Sequence, residues 1–508
     1  YTTVPSGESG TVDVTVDFGG ETAETLTSAF DVVTGGPGFF AEAGAGLMDV
    51  FGSTDWGDYN GDGDRDLVVT GYDGSNETAT IYRNDGGGTF TDISAGLTEV
   101  SSGASSAWGD YDNDGDLDLV VTGSDGSIPT AMIYRNDGEG MFTDISASLT
   151  GVKDGSLSWG DYDGDGDLDL VITGNEGGTS RTAKIYENDV ENGNGFSSIS
   201  ANLKGVDDGS STWGDYDNDG DLDLVVTGRD AGDNETATIY ENDVENGNGF
   251  IPVSLTGVDF SSSAWGDYDN DGDLDLVVTG QDAGDNETAT IYRNDAGTFT
   301  DIDADLTGVR SGSSAWGDYD NDGDLDLVVT GSDGSNQTAT IYENDVANGN
   351  GFIPVGAGLT SVQNSSSAWG DYDNDGDLDL VVTGTDANFT ARATIYENAA
   401  PPSIAVDQGG TPINDGDTFN LGSTPFGTDL ATSFTVSNTG VADLEITSAS
   451  VSNSDFFNVT PPSTLPVTIP SGGSADFEVA LSGSTVGDFS TGVTLSSNDP
   501  NAASFSFT

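Results

Sequence analysis

The residues with the most chemistry in this sequence are aspartates, and they recur in seven sets of matching spacing. The sets are Asp58, Asn60, Asp62, Asp64 and Asp66; Asp110, Asp112, Asp114, Asp116 and Asp118; Asp161, Asp163, Asp165, Asp167 and Asp169; and Asp215, Asp217, Asp219, Asp221 and Asp223. They continue as Asp267, Asp269, Asp271, Asp273 and Asp275; Asp318, Asp320, Asp322, Asp324 and Asp326; and Asp371, Asp373, Asp375, Asp377 and Asp379. Counting each loop from its first Asp, the carboxylates at positions one, three, five and nine can converge on one point. The carbonyl of position seven adds an oxygen, and the Gly at position six permits a sharp turn. Only oxygen ligands are offered, so a hard cation is expected. Four carboxylates on a roomy loop favour Ca²⁺ over Mg²⁺, which takes few protein ligands in rigid octahedral geometry. The spacing therefore predicts about seven Ca²⁺, one per loop.

A solvated acidic turn is the other reading of any one such loop. Like charges ~4 Å apart repel by about 1 to 4 kcal/mol per pair, so a cation is favoured wherever the carboxylates converge. Seven copies in register weigh further towards the cation. The first loop has Asn60 at position three and Arg65 at position eight, loses one charge, and is expected to bind most weakly. The first nine positions follow the pattern of an EF-hand, which needs Glu at position twelve. The second loop has Val121 there, so Asp118 is expected to take the closing role.

The rest of the composition narrows the chemistry. The 508 residues include no His and no Cys, which removes the usual proton-transfer side chain near neutral pH, thiolate chemistry and disulfides. Asp and Glu total 89 against 11 Lys and Arg, for a formal charge of −78, so nucleic acid and anionic lipid are not expected partners. Seven divalent ions would bring this only to −64, and the scarcity of Lys (Lys153, Lys184, Lys204) fits a salty habitat as a second contributor. No apolar run is long enough for a membrane span, so no membrane insertion is expected. The chain opens at Tyr1 without a signal peptide and reads as a mature or trimmed piece of something longer.

The elements that must position these loops are strands. Units begin at Trp56, Trp108, Trp159, Trp213, Trp265, Trp316 and Trp369, spaced by 52, 51, 54, 52, 51 and 53 residues. In each, small residues lead to Trp, then come the acidic loop, a short apolar run such as Leu119–Gly123, and two further runs separated by Gly, Asn and Asp turns. Four short strands per unit make one antiparallel blade, and seven blades make a closed ring. Ser and Ala before Trp fit an innermost strand crowded round the axis. The consecutive apolar residues of the next strand fit burial on both faces. The seventh unit supplies only three strands. Phe40 and Ala43 align with Phe90 and Ile93, so residues 38–44 are expected to close the ring as the outer strand of the last blade.

The string WGDYDNDGDLDLVVTG resembles the FG-GAP and VCBS-type repeats of integrin α-subunit propellers and of bacterial surface and secreted proteins. That resemblance spans residues 38–398. It implies a propeller with calcium in the hairpin between the first and second strands of a blade. Some relatives are polysaccharide lyases or phospholipases whose chemistry uses His, Arg, Lys or Tyr. This chain offers no His and few bases. In residues 1–37, Val12, Val14, Val16, Phe18, Phe30 and Val32 resemble the tail of an immunoglobulin-like IPT/TIG domain. Residues 399–402 read as a linker. Residues 403–508, with FTVSNTGVADLEITS and VTLSSNDPN, resemble the ASH-like sandwich found beside choice-of-anchor regions. The expected fold is all-β, a seven-bladed β-propeller flanked by immunoglobulin-like β-sandwich domains.

Other features have plainer readings beside functional ones. The seven Trp could stack on sugars, but wedges between blades are the favoured reading. Asn76, Asn234, Asn286, Asn336 and Asn388 each open an Asn-X-Thr sequon at one hairpin, where turn chemistry already explains Asn. The loops at 190–195, 244–249 and 346–351 break the symmetry, as a binding rim or as plain loops. The expected function is a calcium-stabilised extracellular binding or adhesion module of a secreted or cell-surface protein, with a protein or glycan ligand and no enzymatic activity. The alternatives are a structural subunit of a surface layer or filament, self-associating through its end domains, and a polysaccharide-active enzyme.

Overall fold

The computed structural model describes residues 14–16, 24–26 and 39–508, apart from 87, 102, 127, 191–192, 245, 400–402, 440–443, 471–472, 484–485, 488 and 499–503. The described residues form strands and turns and contain no helix. Within the first 38, Val14–Val16 pairs antiparallel with Glu24–Leu26, and the rest of the IPT/TIG-like reading lies outside the described residues. The chain divides into two compact units, one built on Phe40–Asn398 and one containing Ala399–Thr508.

In the first unit each repeat forms a four-stranded antiparallel sheet, from its own residues in all but the last. The opening repeat pairs Phe51–Gly57, Asp66–Tyr72, Glu77–Asn84 and Phe90–Asp92 in chain order. The third to fifth repeats are joined by cross-bridges, and Gly249–Gly266 serves as outer strand of one repeat and inner strand of the next. The last repeat pairs Gln363–Gly370, Asp379–Thr385 and Ala391–Ala399, and its fourth strand is Phe39–Glu42. Phe40 packs against Trp369 and Tyr319 at 5.9 and 5.8 Å between ring centres. Phe90 does the same with Trp56 and Tyr372 in the opening repeat. Ala43 N–H donates to Ile395 O (2.9 Å) as Ile93 N–H does to Ile81 O (3.1 Å).

Packing between repeats follows from the Trp-Gly pair. Every Trp lies on the Tyr of the preceding repeat's acidic loop, as Trp108 does on Tyr59 at 6.1 Å, and donates its Nε1–H to the carbonyl before the preceding Trp. The set runs without a break from Trp108 onto Asp55 O to Trp369 onto Ala315 O, and Trp56 onto Ala368 O closes the circle. The Gly after each Trp is where the next Trp sits. A Cβ on Gly109 would fall 2.6 Å from Trp159 Cδ1, so no larger residue fits. The Trp side chains are thus committed to packing between repeats. Near the axis, hydroxyls meet across repeats, as Ser106 and Ser53 do at 3.2 Å. The second strands, such as Leu67, Val68 and Val69, are fully buried on both faces. The ring of sheets is a β-propeller.

The second unit is a β-sandwich. One sheet contains Thr411–Ile413, Ile404–Gln408, Leu430–Asn438, Ser474–Leu481 and Phe457–Thr460, and the other Val467–Ile469, Leu444–Val451, Val493–Ser497 and Ser504–Phe507. Alternate residues point inward, so Phe434, Val436, Leu444, Ile446, Phe477 and Val479 share one apolar core. Among the described residues, no helix is long and apolar enough to cross a membrane.

Candidate metal centres

Each acidic loop links the first strand of a sheet to the second, and its own backbone shapes it. In the second repeat, Asp110 accepts the N–H groups of Asp114 (3.1 Å) and Gly115 (3.0 Å). Asp114 accepts the N–H of Asp116 at 3.0 Å. Position four is left-handed, with φ 56° at Asn113, and so is position six, with φ 97° at Gly115. Asn tolerates the first of these and Gly suits the second.

The carboxylates come together as a subset of the expected four. Positions one, three and nine offer oxygens within 4.8 Å of one another in the second, third, fourth and sixth repeats (Asp110, Asp112, Asp118; Asp161, Asp163, Asp169; Asp215, Asp217, Asp223; Asp318, Asp320, Asp326). In the fifth the group is positions one, three and five: Asp267, Asp269 and Asp271. The position-five carboxylate holds the N–H of position seven in all five of these loops, at Asp114, Asp165, Asp219, Asp271 and Asp322, whether or not it joins the cluster. Oδ1 of Asp112 and of Asp269 is buried without a hydrogen-bond partner. An unpartnered carboxylate oxygen inside an all-oxygen cluster fits a hard divalent cation.

Position nine carries the deepest carboxylate. Asp118 is fully buried, accepting Tyr111 N–H at 3.2 Å and Asn136 N–H at 2.8 Å. Burial outweighs these bonds and pushes its pKa up to about 7. Asp66, Asp169, Asp223, Asp275 and Asp326 are also pushed up to about 7, and Asp379 to about 8, by burial first. At position three, burial and then the neighbouring carboxylates push Asp320 and Asp373 up to about 6.

Two contacts escaped sequence reasoning. The first is the Asn at the last or next-to-last residue of each third strand. Asn136 Nδ2 donates to Tyr59 O of the preceding loop (2.8 Å) and to Leu117 O of its own (3.2 Å), tying two loops and the buried Asp118 together. Asn84, Asn188, Asn242, Asn294, Asn344 and Asn398 make the same contact to the preceding Tyr carbonyl. Their recurrence 18 or 19 residues after position nine was the available signal.

The second is a latch from position four to position seven of the next loop. Asn113 donates to Asp167 (2.9 Å), Asn218 to Asp273 (3.0 Å), and Asn270 to Asp324, Asn321 to Asp377 and Asn374 to Asp64 (2.8 Å each). The position-seven side chains of these loops therefore face a neighbour and leave only the carbonyl for an ion. Gly61 and Gly164 hold position four in the first and third loops and carry no such side chain. The sequon residues also serve turns: Asn76, Asn234, Asn286 and Asn336 bond the Asp that opens their hairpin.

The family described as FG-GAP-like repeat matches residues 58–121, 110–172, 161–226, 215–278, 267–329 and 318–382. A HYDIN/CFA65/VesB-like Ig-like domain matches residues 414–507. No curated protein matches the chain. Among solved structures, a protein of unknown function from Porphyromonas gingivalis W83 is 13% identical over 36% of this chain and 87% of its own, with a TM-score of 0.17. An exo-beta-1,3-galactanase from Phanerochaete chrysosporium is 11% identical in two crystal structures. With beta-1,3-galactotriose the match covers 85% of this chain and 99% of that one at TM-score 0.33, and with galactose 82% and 97% at 0.30.

Proposed function

Because the chain belongs to the FG-GAP repeat family, we propose that it is a calcium-stabilised extracellular binding and adhesion module of a secreted or cell-surface protein. The observation that carries this reading is the recurrence of a carboxylate cluster between the first and second strands of successive sheets, with a position-three oxygen buried and unpartnered at Asp112 and Asp269. Asp at positions one, three and nine would hold the ion, with position five and the position-seven carbonyl completing an oxygen shell. Bound Ca²⁺ would offset the mutual repulsion of the carboxylates and fix the loops, whose Tyr ring and carbonyl meet the Trp and Asn of the next sheet. Its role is then structural, and partner recognition belongs to other surfaces.

The lack of His and Cys supports binding in place of catalysis. The Ig-like domain supports an extracellular setting, as a spacer for the propeller. The test is capture: the immobilised chain, in calcium, is presented with glycans, matrix proteins and cells. Binding that disappears when calcium is stripped is expected. Silence towards all three, or binding indifferent to calcium removal, would sink the proposal.

A further inference from the structure

The seven repeats are near-copies at their metal loops and diverge at the opposite end of the inner strand. There the strand starts converge on an axial cavity of about 330 Å³, lined among others by Phe51, Asp154, Asp208, Phe260, Ser311 and Asn364. From Asp154 onward these residues are left-handed, with φ of 51°, 50°, 46°, 50° and 47° in turn. Asp and Asn tolerate that region, but an aromatic there is an outlier, and strain of this kind gathers at functional sites. Phe260 lies beneath the Arg229 guanidinium, 5.6 Å from its ring centre.

Charge at the cavity is unlike charge elsewhere. The chain has 11 bases for 89 acids, yet both lining carboxylates are paired: Asp208 with Arg229 at 2.6 Å, a base that also reaches Asp207 at 3.6 Å, and Asp154 with Lys153 at 2.8 Å. The mouth is therefore locally balanced, which suits a neutral polar ligand over a free cation. Phe51, Phe260, Asp154, Asp208, Ser311 and Asn364 are among its lining residues, while the hydroxyls of Ser261 and Ser365, also in the lining, are bonded to Thr227 and Thr330 (2.8 Å each). Aromatic faces meet the C–H side of a sugar ring, and carboxylate, amide and hydroxyl groups meet its hydroxyls. The volume is at the small end of ligand sites. The large exposed apolar side chains that a protein interface would use, such as Met48, Ile128, Met141 and Phe389, are not among the lining residues.

We propose that this axial cavity is a saccharide site, taking one neutral pyranose of a glycan. It rests on the binding-module reading and names the ligand class and the place. The test uses the full chain in calcium on a printed array of neutral glycans (glucans, galactans, mannans, chito-oligosaccharides) beside matrix proteins, with Phe260→Gly and Asp208→Asn as variants. Glycan spots are expected to bind, with affinity about tenfold weaker or lost in both variants. Phe260→Gly should melt no lower than the parent, because Gly adopts this φ freely. Glycan binding undiminished in both variants, or binding to matrix proteins alone, would overturn the cavity assignment and leave the binding module standing. Silence across the whole array would overturn the cavity assignment, and silence towards cells as well would overturn both.

Discussion

At the scale of single residues, the buried Asp at position nine sets how the protein responds to pH and to ions. Its carboxyl is raised from 3.8 to about 7 in six loops, by burial before anything else. A raised Asp binds its proton more tightly folded than unfolded. The stabilisation from that proton is full below about 3.8 and is lost as pH climbs through about 7. Calcium-stripped protein should therefore melt at a lower temperature at pH 8 than at pH 5. Calcium would replace the proton, so its stabilising increment should grow over the same range. Melts at the two pH values, stripped and calcium-loaded, check this. A stripped protein that gains stability from pH 5 to 8 would contradict it.

At the scale of elements, the loops are coupled through side chains that cross between sheets. The Asn latch is present after the second loop and the last four, and the first and third have Gly at the donor position. Gly61 already has φ 69°, a conformation Asn accepts, and would face Asp116 as Asn113 faces Asp167. Gly61→Asn should raise stability by about 1 kcal/mol, and Asn270→Gly should lower it by a similar amount. Denaturant unfolding in calcium measures both. Equal, null effects would mean the latch contributes nothing. The strands were legible in the sequence because Leu119–Gly123 and its copies are short apolar runs between turn residues. The latch was not. Asn113 and Asp167 are 54 residues apart, and each has an adequate local explanation, one as a turn residue and the other as a ligand-loop acid.

At the scale of the whole molecule, the ring depends on a strand from the far end of its sequence. Phe39–Glu42 completes the sheet whose other strands end at Ala399. Removing residues 38–46 would leave Ala391–Ala399 as an open edge and take Phe40 from beside the stacked Tyr319 and Trp369. The deletion should lower the melting temperature sharply, and an unchanged melt would refute closure by this strand. This closure was readable because Phe40 and Ala43 repeat the spacing of Phe90 and Ile93. The axial mouth was not, because its residues are the ones that differ between copies, and only the folded ring brings Phe51 and Phe260 to one cavity.

One divalent ion in each acidic loop would hold neighbouring sheets together. Calcium stoichiometry, paired with the melt of the same calcium-loaded and stripped samples, tests it most directly. Close to seven ions per chain and a large upward shift are expected, since a site filled at 100 times its Kd contributes about 2.7 kcal/mol. One ion or none, with melts that coincide, would contradict it.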